Sequence, residues 1–133
     1  MKLLTKHTDY AIRAMLALAK NKGRYISCRE LARRQDMPYQ FLRRILHELI
    51  RAKLVVSQEG GSGGFKINAD PKNINAADVI GIFQGNMQLS DCMLRKDVCA
   101  KRYRCVLRSQ LKQVEKLVEQ EFRKITLAKL MEV

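Results

Sequence analysis

The sequence predicts a mainly α-helical fold with one small β-hairpin, followed by a long helix near the C-terminus. Apolar residues recur at helical spacing from about residue 5 to residue 52, and a glycine-rich stretch then separates two short β-branched runs. A charged amphipathic segment follows residue 104. A chain of 133 residues has the usual size of one domain. We therefore expect one compact unit with a single protruding element.

Local signals set the boundaries of the first three helices. Gly23 is a natural stop for the first helix. Ser27 and Glu30 have the spacing of a capping box, which satisfies free backbone N–H groups at the start of the second helix. Pro38 suits the start of the third helix, where its missing N–H costs nothing. The predicted helices cover residues 5–20, 28–35 and 38–52.

A β-hairpin is predicted after the third helix. The stretches LVVS (54–57) and FKIN (65–68) are predicted strands, and the intervening QEGGSGG suits a tight tip. Two helices joined by a short turn and followed by a hairpin indicate a winged helix–turn–helix. Asn75 begins a further short helix that ends at Gly85. We assign residues 1–85 to this predicted DNA-binding domain.

The rest of the chain divides into a loop and a long helix. Residues 86–104, here called the cysteine segment, lack helical periodicity, and so long a loop is uncommon unless it is functional. The long helix is predicted from about residue 104 to 124, within a C-terminal region that covers residues 105–133. Its apolar stripe favours packing against a second copy of the chain. The alternative is that the helix folds back on its own domain.

The charge balance indicates a polyanionic partner. The chain has 26 Lys and Arg against 13 Asp and Glu, a formal net charge of +13. Such an excess favours nucleic acid first and an anionic membrane surface second. No long apolar run and no signal-peptide pattern occur, so we expect a cytoplasmic protein that does not span a membrane. Clustered cysteines in that compartment more often bind metal or do redox chemistry than staple a fold.

The third helix is the predicted reading helix, because the second helix of such a motif enters the major groove of DNA. The residues expected nearest to base edges are Tyr39, Gln40 and Arg43. Phosphate contacts are expected mainly from Arg33, Arg34, Arg44 and Arg51. A solvated helix face is the alternative explanation for each of these arginines.

Three cysteines lie close together with the spacing C-x6-C-x5-C, namely Cys92, Cys99 and Cys105. The five Lys or Arg residues between them favour the thiolate form that a metal ligand must adopt. The spacing favours an iron–sulfur cluster over zinc, a redox-active disulfide or inert thiols. A fourth ligand is left open among Asp9, Cys28, His7, His47, water and a second subunit. Cys28 is better explained as a small buried hydrophobe in the first turn of the second helix.

The chain resembles the IscR/NsrR (Rrf-two) family of dimeric winged-helix transcriptional regulators, many of which carry an iron–sulfur cluster. The resemblance runs the full length. It includes, in order, LTKHTDYAIRAMLALA, MPYQFLRRILHELIRAKLVVS, GGSGGF, INAADVIGIFQG, the three cysteines and ITLAKLMEV. A homodimer with two reading helices implies a roughly palindromic operator in double-stranded DNA.

The resemblance also implies a ligand set, in which Cys92, Cys99 and Cys105 match the three cluster ligands of the family. In the IscR branch a histidine follows the last cysteine by three residues, but Arg108 stands there in this chain. In NsrR-like members an aspartate from the first helix of the partner subunit completes a 4Fe-4S cluster, and Asp9 occupies the matching place. The resemblance therefore favours 4Fe-4S over 2Fe-2S. The helix dipole alone is an alternative reason for Asp9.

One departure from the family concerns the wing. Many relatives place an arginine just before the glycine-rich tip, where it enters the minor groove, whereas this chain has Glu59. A carboxylate near phosphates is repelled, so we expect weaker wing insertion or a different operator. From the resemblance, Ser62 and Gly63 are expected to contact the DNA backbone.

We therefore expect a dimeric DNA-binding regulator, of the repressor type, whose DNA affinity is switched by an iron–sulfur cluster. By resemblance, the sensed signal is nitric oxide, redox state or the supply of iron and iron–sulfur clusters. The first alternative is a cluster-free winged-helix repressor with redox-active or structural cysteines, and an iron–sulfur electron carrier is the least favoured. We do not expect an enzyme, because the sequence has no phosphate-binding loop and no His–Asp–Ser set.

Overall fold

The computed structural model describes residues 2–90 and 102–132 of the chain. Within these ranges the α-helices are α1 (Lys6–Lys20), α2 (Cys28–Gln35), α3 (Tyr39–Arg51), α4 (Ala76–Gln84), α5 (Val106–Arg123) and α6 (Leu127–Met131). The strands are β1 (Val55–Gln58) and β2 (Gly64–Ile67). Short 3-10 turns occur at Pro71–Asn73 and Arg102–Arg104.

Side-chain caps begin most of these helices. Thr5, Ser27 and Asn75 each accept a hydrogen bond from the backbone N–H three residues further on, at 3.0–3.3 Å. Such caps satisfy N–H groups that have no partner inside the helix. Of the predicted capping box, the Ser27 bond forms, while the carboxylate of Glu30 pairs with Arg34 on the next turn of α2.

The apolar stripes of α1, α2 and α3 meet in one core. Ala11, Ala14, Met15 and Leu18 supply the side of α1. The other fully or nearly fully buried members are Leu31, Leu42, Ile45, Leu46, Leu49, Val55, Ile74 and Val79. Spacings of three and four residues place these side chains on a single face of each helix. The three predicted helices are thus confirmed, with α3 starting at Tyr39 and Pro38 as its cap residue.

The hairpin is antiparallel and pairs Val55 with Ile67 and Gln58 with Gly64. Each strand lies one residue closer to the tip than the sequence predicts, because pairing continues to Gly64. There the chain passes against the turn before α2, where Ile26 and Phe65 exchange backbone hydrogen bonds of 2.8 and 2.9 Å. Gly64 has φ +144°, and an added Cβ would lie 2.4 Å from the Ile26 carbonyl. Only glycine fits this close approach.

The C-terminal segment returns to the core. The amide of Leu127 donates to the carbonyl of Ile74 at 2.9 Å, and the amide of Ala76 donates to that of Ile125 at 2.8 Å. Leu127 is buried with the core residues. The sequence did not predict α6, because five residues are too few for a repeated stripe. Helix α5, which precedes α6, packs on α4, and Arg123 of α5 pairs with Asp78 of α4 at 3.5 Å.

The helices in the described part of the chain are all too short or too polar to cross a bilayer.

Candidate nucleic-acid interface and cofactor-binding residues

Helix α3 presents an exposed basic face. Its buried side is formed by Leu42, Ile45, Leu46 and Leu49. Its exposed side carries Tyr39, Gln40, Arg43, Arg44, His47 and Arg51. This set contains every α3 residue that the sequence predicts to contact DNA. It also contains His47, which the sequence prediction omitted; a position one turn after Arg43 on the same face is the signal that identifies it.

Several arginines on this surface are available to phosphates. Among residues 2–90 and 102–132, no carboxylate forms an ion pair with Arg33, Arg43 or Arg44. Arg34 pairs with Glu30, and Arg51 with Glu48 at 3.1 Å. Exposed pairs of this kind contribute about 0–1 kcal/mol. Breaking either pair to free its arginine for a phosphate would therefore cost little.

Helix α1 fixes the start of the reading helix. The ring of Phe41, in the first turn of α3, lies 4.5 Å from the ring of His7 and 5.3 Å from that of Tyr10, centroid to centroid. The contact with Tyr10 is edge-to-face at 89°, a favoured geometry for aromatic rings. The first turn of α3 is thus packed against the first turns of α1.

The tip of the wing is an exposed turn. Glu59 and Ser62 are exposed, so both are accessible to DNA. The amide of Gly63 donates to the carbonyl of Gly60 at 3.1 Å, and an added Cβ at Gly63 would lie 2.1 Å from the Gln58 carbonyl oxygen. The turn itself thus requires glycine at position 63. The predicted backbone contacts of Ser62 and Gly63 with DNA stay predictions.

Of the three clustered cysteines, Cys105 is the one within the described residues; Cys92 and Cys99 lie outside them. Cys105 is the cap residue of α5, and its thiol is free and half-buried. Nearby, the amide of Leu89 donates to a carboxylate oxygen of Glu115 in α5 at 3.0 Å. The chain before position 91 is thereby attached to the helix that Cys105 begins.

The fourth cysteine has a different environment. Cys28 is buried in the first turn of α2, and its Sγ–H points to the carbonyl oxygen of Tyr39 at 3.9 Å. Burial raises the pKa of the Cys28 thiol, and the positive charge of Arg43 offsets only part of that rise. The neutral thiol is therefore favoured, as expected for a small buried side chain and not for a metal ligand.

The carboxylate of Asp9 lies on the surface in the first turn of α1. It accepts a hydrogen bond from Nε of Arg13 at 3.2 Å, and 43% of its side chain is exposed. Within the described ranges, no three His, Cys, Asp or Glu side chains come together as a metal site. A site that includes Asp9 or Cys105 consequently needs ligands from outside those ranges or from a second subunit.

Helix α5 exposes apolar side chains along one face. The most exposed are Val106 (75%), Leu107 (66%) and Leu117 (62%), with Val114 on the same face. Near the C-terminal end, Leu3, Leu117, Val118, Phe122 and Ile125 line an apolar groove. Isolated exposed apolar residues are normal, but a continuous stripe on one helix marks an interaction surface.

A helix–turn–helix with an exposed basic reading helix and a β-hairpin defines a winged-helix DNA-binding protein. A family model described as "Rrf2: Iron-dependent Transcriptional regulator" matches residues 4–133. The chain belongs to this Rrf2 family of transcriptional regulators. The resemblance stated from the sequence is thus confirmed, and so is the predicted winged-helix fold.

Individual relatives support the same conclusion. The HTH-type transcriptional regulator NsrR of Shouchella clausii is 30% identical over 110 residues, covering 81% of this chain and 74% of that protein. The structure of T. potens IscR has a TM-score of 0.78 at 26% identity, covering 99% of this chain and 87% of that one. The structure of CymR, the global cysteine regulator of B. subtilis, has a TM-score of 0.78 over 99% of this chain and 98% of that one. At 22% sequence identity, this structural likeness shows a shared fold and no more.

Proposed function

We propose that the protein is a homodimeric repressor that binds a palindromic operator with an affinity set by an iron–sulfur cluster. The observation that carries the DNA part is the exposed face of α3, where Arg43 and Arg44 lie beside Tyr39 and Gln40 and form no ion pair with a carboxylate of the described residues. Side chains of this kind read base edges through amide and guanidinium groups and hold phosphates through charge. Basic charge alone would give binding without sequence preference.

The exposed stripe of α5 supports the dimer. Burial of a large aliphatic side chain contributes about 1.5–3 kcal/mol, and α5 exposes Val106, Leu107 and Leu117 on one face. A second copy of the helix offers a matching stripe, because a two-fold interface places the same patch on both subunits. The predicted pairing with a twin is thus favoured over a helix that folds entirely back on its own domain.

The donor set fits an iron–sulfur cluster. Thiolates are the ligands that such clusters use. Cys105 offers a half-buried free thiol at the start of the proposed dimer helix. We assign Cys92 and Cys99 as the other thiolates, and Asp9 of the partner subunit as the fourth ligand. Asp9 suits that role because its carboxylate is accessible and held by a weak exposed ion pair. When bound, the cluster would supply a redox-active centre that reacts with nitric oxide; 4Fe-4S is favoured.

A second candidate is a cluster-free repressor that is switched by oxidation of the same cysteines. The free thiol of Cys105, partly exposed, is the observation that favours it, because accessible thiols are the ones that oxidise. One of the structural relatives is described as an oxidised form of Staphylococcus aureus CymR. The two candidates share the DNA surface and differ in whether the protein holds iron.

Isolation without oxygen, followed by iron and sulfide analysis, separates the two candidates. We expect a coloured protein in which Cys92→Ala, Cys99→Ala and Cys105→Ala each lower iron content. Cys28→Ala is the matched control, because that thiol is buried in α2 and should leave iron content unchanged. A colourless, iron-free wild-type protein would favour the thiol switch.

The switch itself is tested on DNA that the protein selects from a random-sequence library. Loaded and metal-free protein are compared at one salt concentration, because affinity for DNA depends steeply on salt. We expect the Kd values of the two states to differ by about tenfold, which corresponds to about 1.4 kcal/mol in the free energy of DNA binding. Equal affinities would contradict the cluster switch and leave the DNA-binding assignment in place.

A further inference from the structure

The side chain of Gln84 joins the end of α4 to the start of α1 through three hydrogen bonds. Its Oε1 accepts from the backbone N–H of Thr5 at 3.0 Å and from the hydroxyl of Thr8 at 2.7 Å. Its Nε2 donates to the carbonyl of Leu3 at 3.1 Å. The carboxamide thus uses its oxygen twice and its nitrogen once, all on the same short stretch of chain.

Thr8 is the centre of this arrangement. It is fully buried, the one buried polar or charged side chain in the described part of the chain. Its hydroxyl donates to Gln84, so the 3.2 Å contact with the Thr5 hydroxyl places Thr5 as donor and Thr8 as acceptor. The Thr5 oxygen in turn accepts from the backbone N–H of Thr8 at 3.3 Å. The buried hydroxyl of Thr8 has a partner for both its donor and its acceptor, and such satisfied hydrogen bonds favour one geometry.

The position of this network gives it a role beyond capping. Gln84 is the last residue of α4, immediately before the segment that contains the cysteines. The α1 turn that it holds carries Asp9, and His7 and Tyr10 of the same region contact Phe41 at the start of α3. The first turn of α1 therefore touches both Gln84, at the end of α4 just ahead of the cysteine segment, and the first turn of α3.

We propose that Gln84 and Thr8 are positioning residues that hold the first turn of α1, and through it the first turn of α3, in register with the start of the cysteine segment. The regulatory part of this inference rests on the proposed function. We expect a displacement of the described start of that segment, residues 86–90, to move Gln84 and with it the first turn of α1. The position of Phe41, and with it that of Tyr39 and Gln40, would then change. The first link in this chain, the effect of Gln84 and Thr8 on the position of α3, can be tested in protein without a cluster.

The experiment uses Thr8→Val, which keeps the shape and removes the hydroxyl, and Thr8→Ser, which keeps the hydroxyl. Gln84→Glu is a second variant, because it keeps the acceptor and loses the donor to Leu3. The control is Asn21→Ala, which removes one 2.8 Å side-chain hydrogen bond, from Asn21 Nδ2 to the Ala17 carbonyl, at the other end of α1. All four are compared with wild type as full-length protein.

Amide hydrogen exchange of metal-free protein measures the first link. In Thr8→Val we expect exchange in the first two turns of α3 to rise about tenfold, as for loss of a buried hydrogen bond. Gln84→Glu should raise it as well, while Thr8→Ser should stay within about threefold of wild type. Unchanged α3 exchange in Thr8→Val and Gln84→Glu would overturn the proposal. An equal rise in Asn21→Ala would also overturn it, since that would indicate general loosening of α1.

Operator affinity measures the second link. In wild type, the loaded and metal-free forms are expected to differ in Kd, and Thr8→Val should reduce that ratio toward one with iron content retained. Thr8→Ser should restore the wild-type ratio. A wild-type ratio retained in Thr8→Val would overturn the coupling role of the network. A wild-type ratio of one would instead contradict the cluster switch, and hydrogen exchange would still decide whether Gln84 and Thr8 position α3.

Discussion

At Gly64 the second strand of the wing passes so close to the turn before α2 that no side chain fits. The backbone carbonyl of Ile26 occupies the space that a Cβ would need, and φ at this glycine is +144°. The same approach allows the paired backbone hydrogen bonds between Ile26 and Phe65. The residue therefore determines how the wing is attached to the helix–turn–helix and where its tip lies relative to α3.

Replacement of Gly64 by alanine is expected to destabilise the fold by about 2–4 kcal/mol, because strain at positive φ adds to a contact with backbone that cannot move away. Chemical denaturation monitored by circular dichroism measures the loss. Gly81→Ala is the matched control, because Gly81 lies within α4 with nothing near its Cβ position. That substitution should be neutral or stabilising by up to about 1 kcal/mol. Equal effects of the two substitutions would contradict the close approach.

Among the α-helices in the described part of the chain, α5 is the one without a buried residue. None of its residues is fully buried, although its apolar positions recur at helical spacing over 18 residues. One side contacts α4, and the other exposes Val106, Leu107 and Leu117. An apolar stripe of this length normally packs against another apolar surface.

Leu117→Glu is expected to convert the proposed dimer to monomer, because a carboxylate in an apolar interface loses its hydration without gaining a partner. Sedimentation or light scattering at micromolar concentration measures the molecular mass. Lys112→Gln removes one positive charge on the polar side of α5 and is the control for the change in charge. A Leu117→Glu protein that stays dimeric and folded would place the interface elsewhere.

The sequence predicted the elements that have local signals. It did not predict the features that depend on contacts between residues far apart in the chain. Helices α1 and α2 have a cap at one end and an apolar stripe, so their bounds followed from neighbouring residues. Helix α6 is only five residues long and has no repeated apolar stripe, and one backbone hydrogen bond from Leu127 to Ile74 attaches it to the core. The bond between Thr8 and Gln84 joins residues 76 positions apart, which no local pattern reveals.

The same distinction applies to the candidate site. The basic face of α3 follows from helical spacing, and the structure exposes all the predicted α3 contact residues. His47 was not predicted there, because its position beside the apolar stripe of α3 is compatible with either a packed or an exposed side chain. The absence of carboxylate partners around Arg33 and Arg43 among the described residues depends on the folded arrangement of several elements. The sequence therefore predicts which face of α3 is basic. The fold determines which arginines lack a carboxylate partner among the described residues.

For the whole molecule, the net charge of +13 per chain predicts a steep dependence of DNA binding on salt. Each phosphate contact contributes about 0.9 to the slope of log K against log salt concentration. Arg33→Ala in both subunits of the proposed dimer should thus reduce the slope by about 1.8 and weaken selected and random DNA alike. Binding titrations at several salt concentrations measure it. Lys112→Gln, on α5, should leave the slope unchanged, and a fall equal to that of Arg33→Ala would contradict the assigned surface.

The C-terminal end of α5 is tied to the core by the backbone hydrogen bonds that flank α4 and α6. Because α5 is held in this way, we expect the two α3 helices of the proposed dimer to keep a fixed separation and not to adjust to a longer site. One extra base pair between half-sites displaces one of them by about 3.4 Å and turns it by about 35° around the duplex. Such a protein would recognise the separation of its half-sites as strictly as their bases.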